Sequence, residues 1–457
     1  MAIIGNITPS VDVSNLGLEN RIVIKFRSDI KLPYSIVSSN LASQLLGPVW
    51  AELNNQFNNL NLIPFFRTIA ESSLSEFVFD DLLDAKGGKQ KPFLQYFCID
   101  LPTGKINAKI TEKIAGALRS LPIVEAAYVE SCSIPPYPLT NYTNNPHSFN
   151  QGYLEKAPKG IDAQAIWKIT SGEGTKFVDL EQGWTLNHQD LVNTNIQIIS
   201  GINHLHYDHG TKVLGVVSAV NNNKGGVGIA SAAEIQVVSQ WFAEKSTGEK
   251  YLNTAEAILS AIDSMSAGDV LLLEAQIRCD TTGGRKFAPI EVEKAVFDAI
   301  KMATSRGIVV IEPSANGSMD LDSFKNEYGK HILNRASQDF RDSGAIMVGA
   351  ASSSVPHSRL LSSNYGSRID CFSWGEDVCT CIGFDTYTNN FGGTSAASSI
   401  IAGAALLMQS WAIKTGHGLF SPATLRDALI NANLNTQSAN PNSDRIGVMP
   451  NLKVLIN

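Results

Sequence analysis

Three short stretches hold side chains that could do chemistry together. Near its end the chain reads GGTSAASSIIAGAALL (392–407), with Ser395 heading a run of small and apolar residues. Far upstream lies His209 in HGTKVLG (209–215), and before it two acids, Asp179 and Glu181, in VDLEQGW (178–184). Taken alone, Ser395 reads equally as a nucleophile at a helix start or as one small residue that lets the helix pack tightly. A serine hydroxyl is a poor nucleophile until a base takes its proton. The question is therefore whether an imidazole and a carboxylate reach the same place.

The elements that must position these groups follow from hydrophobic patterning. Beyond residue 160 the stretches TKFVDLE (175–181), AEIQVVS (233–239), DVLLLEA (269–275), GIVVIE (307–312) and GAIMVGA (344–350) read as strands. Between them, 255–265 is helical with Ile258, Ile262 and Met265 on one face, and Pro289 is expected to open a helix over 290–305 that Gly307 closes. Short apolar strands alternating with helices predict an α/β unit whose parallel sheet is covered on both faces. In such sheets reactive groups gather at the carboxyl ends of the strands.

Residues 1–132 have a different character. RIVIKF (21–26), FLQYFCIDL (93–101) and IVEAAYVE (123–130) have strand character, and Ile110, Ile114 and Leu118 recur at helical spacing. Another helical segment, 41–57, is interrupted by Pro48, which must kink or split it. The order predicts a small two-layer α+β domain of ferredoxin-like type. Residues 133–150, rich in proline and asparagine, read as a linker, leaving 151–457 as the main domain.

Composition narrows the function classes. The 457-residue chain carries a formal charge of −7 and no basic run, which weighs against a nucleic-acid partner. Six cysteines without a CxxC pair make neither a disulfide scaffold nor a zinc site, and Cys379 and Cys381 read as structural. The apolar run 400–413 contains Gln409 and Ser410 and reads as a buried helix rather than a membrane span. No basic segment followed by a long apolar core opens the chain, so a cytoplasmic location is the default, with export by another route left open.

The three opening segments, in the order acid, His, Ser, resemble those of the subtilisin-like serine peptidases (subtilases). The family's acid-x-Gly and following His-x-Asp-Leu match Glu181-Gln182-Gly183 and His188-Gln189-Asp190-Leu191; its His-Gly-Thr-x-Val-x-Gly and Gly-Thr-Ser-x-Ala match 209–215 and 393–397. GIDAQAIWKITSGEG (160–174), NNNKGGVGIASAAEI (221–235), SGAIMVGAAS (343–352) and SSNYGSRIDCFSWG (362–375) extend the likeness from about Gly160 to the C-terminus. It implies a three-layer subtilisin-like fold and a serine endopeptidase acting on polypeptides through an acyl-enzyme, with no required cofactor and no catalytic metal. An inactive relative that binds peptides in its cleft is the alternative.

By the resemblance, Ser395 is the nucleophile, His209 the base and Asn316 of VVIEPSANGS (309–318) an oxyanion donor beside the Ser395 N–H. The acid departs from the family's aspartate. Register with Gly183 favours Glu181, which reaches about 1.5 Å further; Asp179, on the same strand face, is the alternative. Asp208 reads as a solvated carboxylate. Glu274, Ala275 and Gln276 stand where the family has a wall of its primary specificity pocket, so a carboxylate at that rim is expected to favour basic side chains. Ser399 replaces a usual proline and Lys212 a common second histidine. A structural calcium ion is left open, because Asp190 and Asn222 match its site while Lys224 opposes it. The ending of the 1–132 domain resembles the family's propeptide, implying an intramolecular inhibitor and chaperone, with autocleavage expected within 133–150.

Overall fold

A computed structural model describes residues 21–57, 60–79, 91–101, 108–130, 133–134, 151–192, 195–222, 224–244, 247–281 and 284–456. The chain forms two compact units, Met1–Cys132 and Ser133–Asn457. Most of the expected linker, 135–150, lies outside the described residues.

In the smaller unit, β1 (Arg21–Phe26), α1 (Ser39–Gln56), β2 (Ile63–Pro64), a short α2 (Glu71–Glu76), β3 (Tyr96–Asp100), α3 (Ala108–Arg119) and β4 (Val124–Val129) follow one another. The strands pair antiparallel in the order β2-β3-β1-β4, that of a split βαβ unit. Ala42, Leu46, Trp50 and Leu53 of α1 share one stripe and pack with Ile22, Ile24 and Phe97 of the sheet. The break expected from Pro48 falls at Gly47, whose φ of 53° takes it out of the helix. The strand expected from residue 93 starts at Tyr96, after a 3₁₀ turn over Pro92–Gln95.

The larger unit begins with β5 (Ser133–Ile134) and α4 (Ala163–Ile166). There follow β6 (Lys176–Glu181), β7 (Gln197–Ser200), α5 (Tyr207–Ser218), β8 (Glu234–Ser239), the hairpin β9 (Trp241–Ala243) and β10 (Lys250–Leu252), α6 (Thr254–Ile262) and β11 (Val270–Leu273). Next come the hairpin β12 (Gln276–Thr281) and β13 (Gly284–Pro289), α7 (Lys294–Ser305), β14 (Val309–Pro313), β15 (Ile346–Ala351) and β16 (Cys371–Trp374). The hairpin β17 (Val378–Ile382) and β18 (Thr386–Phe391) leads into α8 (Gly393–Thr415), with β19 (Thr436–Gln437) and β20 (Val448–Met449) near the end.

Nine strands form one sheet in the order β19-β20-β16-β15-β14-β11-β6-β8-β7, parallel throughout except for β19. Helices α5 and α8 pack on one face; α6 and α7 pair with each other on the opposite one. Strand alternation explains the sorting: Phe177, Val270, Leu272, Val309 and Ile311 join the α8 core. Glu181 lies four residues beyond Phe177 and therefore faces the same helices. The helix expected from Pro289 starts later. Pro289 ends β13, and a 3₁₀ turn over Ile290–Val292 precedes α7. Helix α8 is long and apolar enough to cross a membrane by length and composition, but 89 % of that window is buried inside the unit.

Candidate active site

Three neighbouring strands end at one place. Glu181 closes β6, Glu274 follows β11 and Asn316 follows β14; these strands are adjacent in the order β14-β11-β6. The first turns of α5 and α8 bring His209 and Ser395 to them. Gly210 lets α5 approach, since a Cβ there would sit 2.5 Å from both the Gly183 carbonyl oxygen and the Trp184 ring. Gly393, at φ 75°, turns the chain sharply into α8 and donates its N–H to Gly375 O at 2.7 Å.

His209 bridges the other two groups. Its Nδ1 is hydrogen-bonded to Glu181 Oε1, and its Nε2 lies 3.0 Å from Ser395 Oγ. All three residues are buried. The second acid on the strand face is engaged elsewhere, because Trp184 Nε1–H donates to Asp179 Oδ2 at 2.7 Å. Asp208 is exposed. Burial disfavours both charged forms of the central pair, pushing the Glu181 carboxyl up and the His209 imidazolium well below the ordinary histidine value. Lys212, one turn along α5 and also buried, works in the same direction on His209 while favouring the Glu181 anion. Its own ammonium is pushed down to about 8, chiefly by burial.

Asn316 is oriented from both sides. Its Oδ1 accepts the Thr394 N–H at 3.1 Å, which turns the amide nitrogen the other way; that Nδ2 is buried and has no partner among the described residues. The Asn316 N–H donates to Gln276 Oε1 at 2.8 Å. Asn364 Oδ1 accepts from Gly317 N, and Asn364 Nδ2 donates to Ser314 O, so the loop carrying Asn316 is pinned at both ends. A fixed, unspent N–H at a strand end beside a first-turn serine is an arrangement that can receive a developing oxyanion.

The expectation of a Glu274 charge at a pocket rim is corrected. Glu274, Ala275 and Gln276 are all fully or almost fully buried, so Glu274 presents no charge at a rim. Its Oε1 lies 2.7 Å from Ser398 Oγ, underneath the first turn of α8. Gln276 acts through its side chain on the Asn316 loop. Its backbone and that of Ile277 pair antiparallel with Ile134 and Ser133 of β5.

The candidate calcium site is filled by hydrogen-bond donors. Asp190 Oδ1 accepts from Asn222 Nδ2 at 3.2 Å, and Asp190 Oδ2 accepts from Tyr387 Oη at 2.8 Å and Gly226 N at 3.2 Å. N–H and O–H groups face the carboxylate where a divalent cation needs oxygens, so these described residues do not fit one.

Sequence reasoning missed the supporting residues. Ser398 was within reach of it, three residues after Ser395 on a helix and hence on the same side. Trp184 and Asn364 carry no such signal, since neither stands in a motif that points to its partner.

Known proteins share sequence with this chain. The model of the subtilase family (Peptidase S8) matches residues 171–448. The thermophilic serine proteinase of Bacillus sp. (strain AK1) is 26 % identical over 310 residues, 65 % of this chain and 66 % of that protein. Subtilisin E of Bacillus subtilis (strain 168) is 24 % identical over 408 residues, 88 % of this chain and 90 % of its own length. That span is longer than the larger unit alone and so reaches into the smaller one. The major intracellular serine protease of the same strain is 27 % identical over 288 residues, 60 % of this chain and 80 % of that protein.

Proposed function

The chain belongs to the subtilase family and is a subtilisin-like serine peptidase, and on that premise we propose that it cleaves internal peptide bonds through Glu181, His209 and Ser395. Ser395 Oγ attacks the scissile carbonyl while His209 Nε2 takes its proton. The Nδ1–H donates to Glu181, whose carboxylate holds the ring and stabilises the imidazolium. Asn316 Nδ2–H and the Ser395 N–H, in the first turn of α8, receive the oxyanion. His209 then returns the proton to the leaving amine, and water repeats the sequence on the acyl-enzyme. The observation that carries this reading is His209 bonded through both ring nitrogens, to an acid on one side and a serine on the other.

The test is hydrolysis of an unfolded protein substrate, followed by mass spectrometry of the fragments. Internal cleavages made by the wild type and absent from Ser395→Ala support the reading. A folded wild type that leaves the substrate intact contradicts it.

Substrate docking has a parallel within the larger unit. Strand β5 pairs with the β12 edge beside the active site, and addition of an extended peptide to a sheet edge is a standard way to hold one. We infer that the segment following the smaller unit occupies the substrate's track before cleavage within 133–150, the smaller unit serving as an intramolecular inhibitor and folding aid. Mass spectrometry of the purified chain checks this: a cut in 133–150 in the wild type, lost in Ser395→Ala, is expected, and an active enzyme still intact from Met1 contradicts it.

A further inference from the structure

The active centre holds a glutamate that the mechanism above does not use. One oxygen each of Glu181 and Glu274 and one ring nitrogen of His209 lie within 4.8 Å of one another, all buried. Around Glu274 stand Glu181 and Asp179 from β6 and His209 from α5, while α8 offers only the hydroxyls of Ser395 and Ser398. Lys212 faces Glu181. Were all three acids ionised with His209 neutral, one lysine would leave two buried negative charges uncompensated.

Hydrogen counting points the same way. Ser398 Oγ lies 2.8 Å from Thr394 O, 3.0 Å from Ser395 O and 2.7 Å from Glu274 Oε1. A hydroxyl has one hydrogen to give but two lone pairs with which to accept. Thr394 O and Ser395 O can only accept. With that one hydrogen given to either helix carbonyl, the 2.7 Å contact with Glu274 is a hydrogen bond if the carboxyl carries a proton and donates it to Ser398 Oγ. Its other oxygen, Oε2, has no hydrogen-bond partner among the described residues, a costly state for a buried anion and a milder one for a neutral acid.

Resting on the peptidase reading, we propose that Glu274 is a positioning residue held as a neutral carboxylic acid, which seats the first turn of α8 through Ser398 and keeps a second anion away from Ser395. Burial and the neighbouring carboxylates Glu181 and Asp179 push its ionisation up in the same sense. The neutral form matters because the oxyanion develops beside Ser395, and an ionised Glu274 would oppose it. Ionisation of Glu274 as pH rises therefore works against catalysis.

The test compares Glu274→Gln, which keeps a neutral donor of the same length, with Glu274→Ala. Three readouts are taken: kcat and KM across about pH 5 to 10, thermal unfolding, and the infrared difference spectrum of wild type minus Glu274→Gln at neutral pH. Glu274→Gln is expected to hold kcat within about threefold at neutral pH and to lessen the alkaline fall in kcat. Glu274→Ala is expected to lower kcat by roughly tenfold or more with KM little changed. The difference spectrum should show a protonated carboxyl carbonyl band. Absence of that band, equal damage by the two substitutions in folded protein, or no effect of Glu274→Ala on kcat would each overturn the proposal. The infrared band can be read even if the wild type hydrolyses nothing, which separates failure here from failure of the peptidase reading.

Discussion

Two buried ionic clusters lie in the larger unit, and they are built on opposite terms. In one, Arg368 makes a two-pronged contact with Glu291, Nε to Oε1 at 2.7 Å and Nη2 to Oε2 at 3.0 Å, and a third bond from Nη1 to Asp370 Oδ2 at 2.9 Å. Ser343 Oγ, Met347 N and Arg335 Nη2 complete the two carboxylates. Every oxygen of Glu291 and Asp370 is used, so the guanidinium is held charged and the cluster ties Ile290–Val292 to the segment before β16. In the other, Asp179, Glu181 and Glu274 share a pocket with His209 and Lys212. There Asp179 Oδ1, Glu274 Oε2, Thr394 Oγ1 and Asn316 Nδ2 have no partner among the described residues. The first cluster, short of a partner among the described residues only at Glu312 Oε2 beside Glu291, ties the fold through its guanidinium. The second, left short of partners and charge, can shift protons, because its groups titrate away from their usual ranges.

The difference can be broken from either side. The largest effect is expected in the second cluster: Ser395→Ala and Glu181→Gln should each lower kcat/KM by about 10⁴-fold or more while the melting temperature holds. Asp179→Asn should cost no more than about threefold in kcat, since its carboxyl serves Trp184. Comparable losses from Asp179→Asn and Glu181→Gln would reassign the orienting acid. Arg368→Met should do the reverse, removing about 3–5 kcal/mol of stability by stranding two buried carboxylates, with kcat of the folded fraction preserved. Chemical denaturation with parallel active-site titration separates the two outcomes. Asn316→Ala should lower kcat by about 10²–10³-fold and leave KM nearly unchanged, the pattern of a donor engaged only in the transition state.

The smallest effect concerns pH. Because burial and Lys212 disfavour the imidazolium, His209 stays a free base below the ordinary histidine value of 6.5. Activity is therefore retained as pH falls past that value and lost only further down, as the imidazole takes up a proton. A kcat/KM profile whose acid midpoint lies at or above 6.5 would contradict this.

Much of this was legible in the sequence, for reasons that differ by residue. Strands such as Val270–Leu273 and Ile346–Ala351 are continuous apolar runs, so a parallel sheet buried on both faces announces itself. Ser395 and His209 stand in local motifs with helix-start signals. The Glu274 charge was expected at a rim because the resemblance gives its place in the chain, whereas the direction of its side chain depends on Ser398, 124 residues away. The late start of α7 has a similar cause. Glu291 is drawn toward Arg368, 77 residues on, and the chain turns before it can become helical. The hairpin β17/β18 and strand β13 were missed because they mix polar and apolar residues without the alternation that marks a half-buried strand; β12 does alternate, from Gln276 to Asp280, and was passed over.

The central claim is that Ser395 is a nucleophile activated by His209, and covalent labelling tests it most directly. A fluorophosphonate incubated with the folded chain, followed by digestion and peptide mass mapping, should place one adduct on Ser395. Labelling should vanish in Ser395→Ala and slow sharply in His209→Ala. A correctly folded wild type that takes no label, or takes it at another serine, would contradict the account.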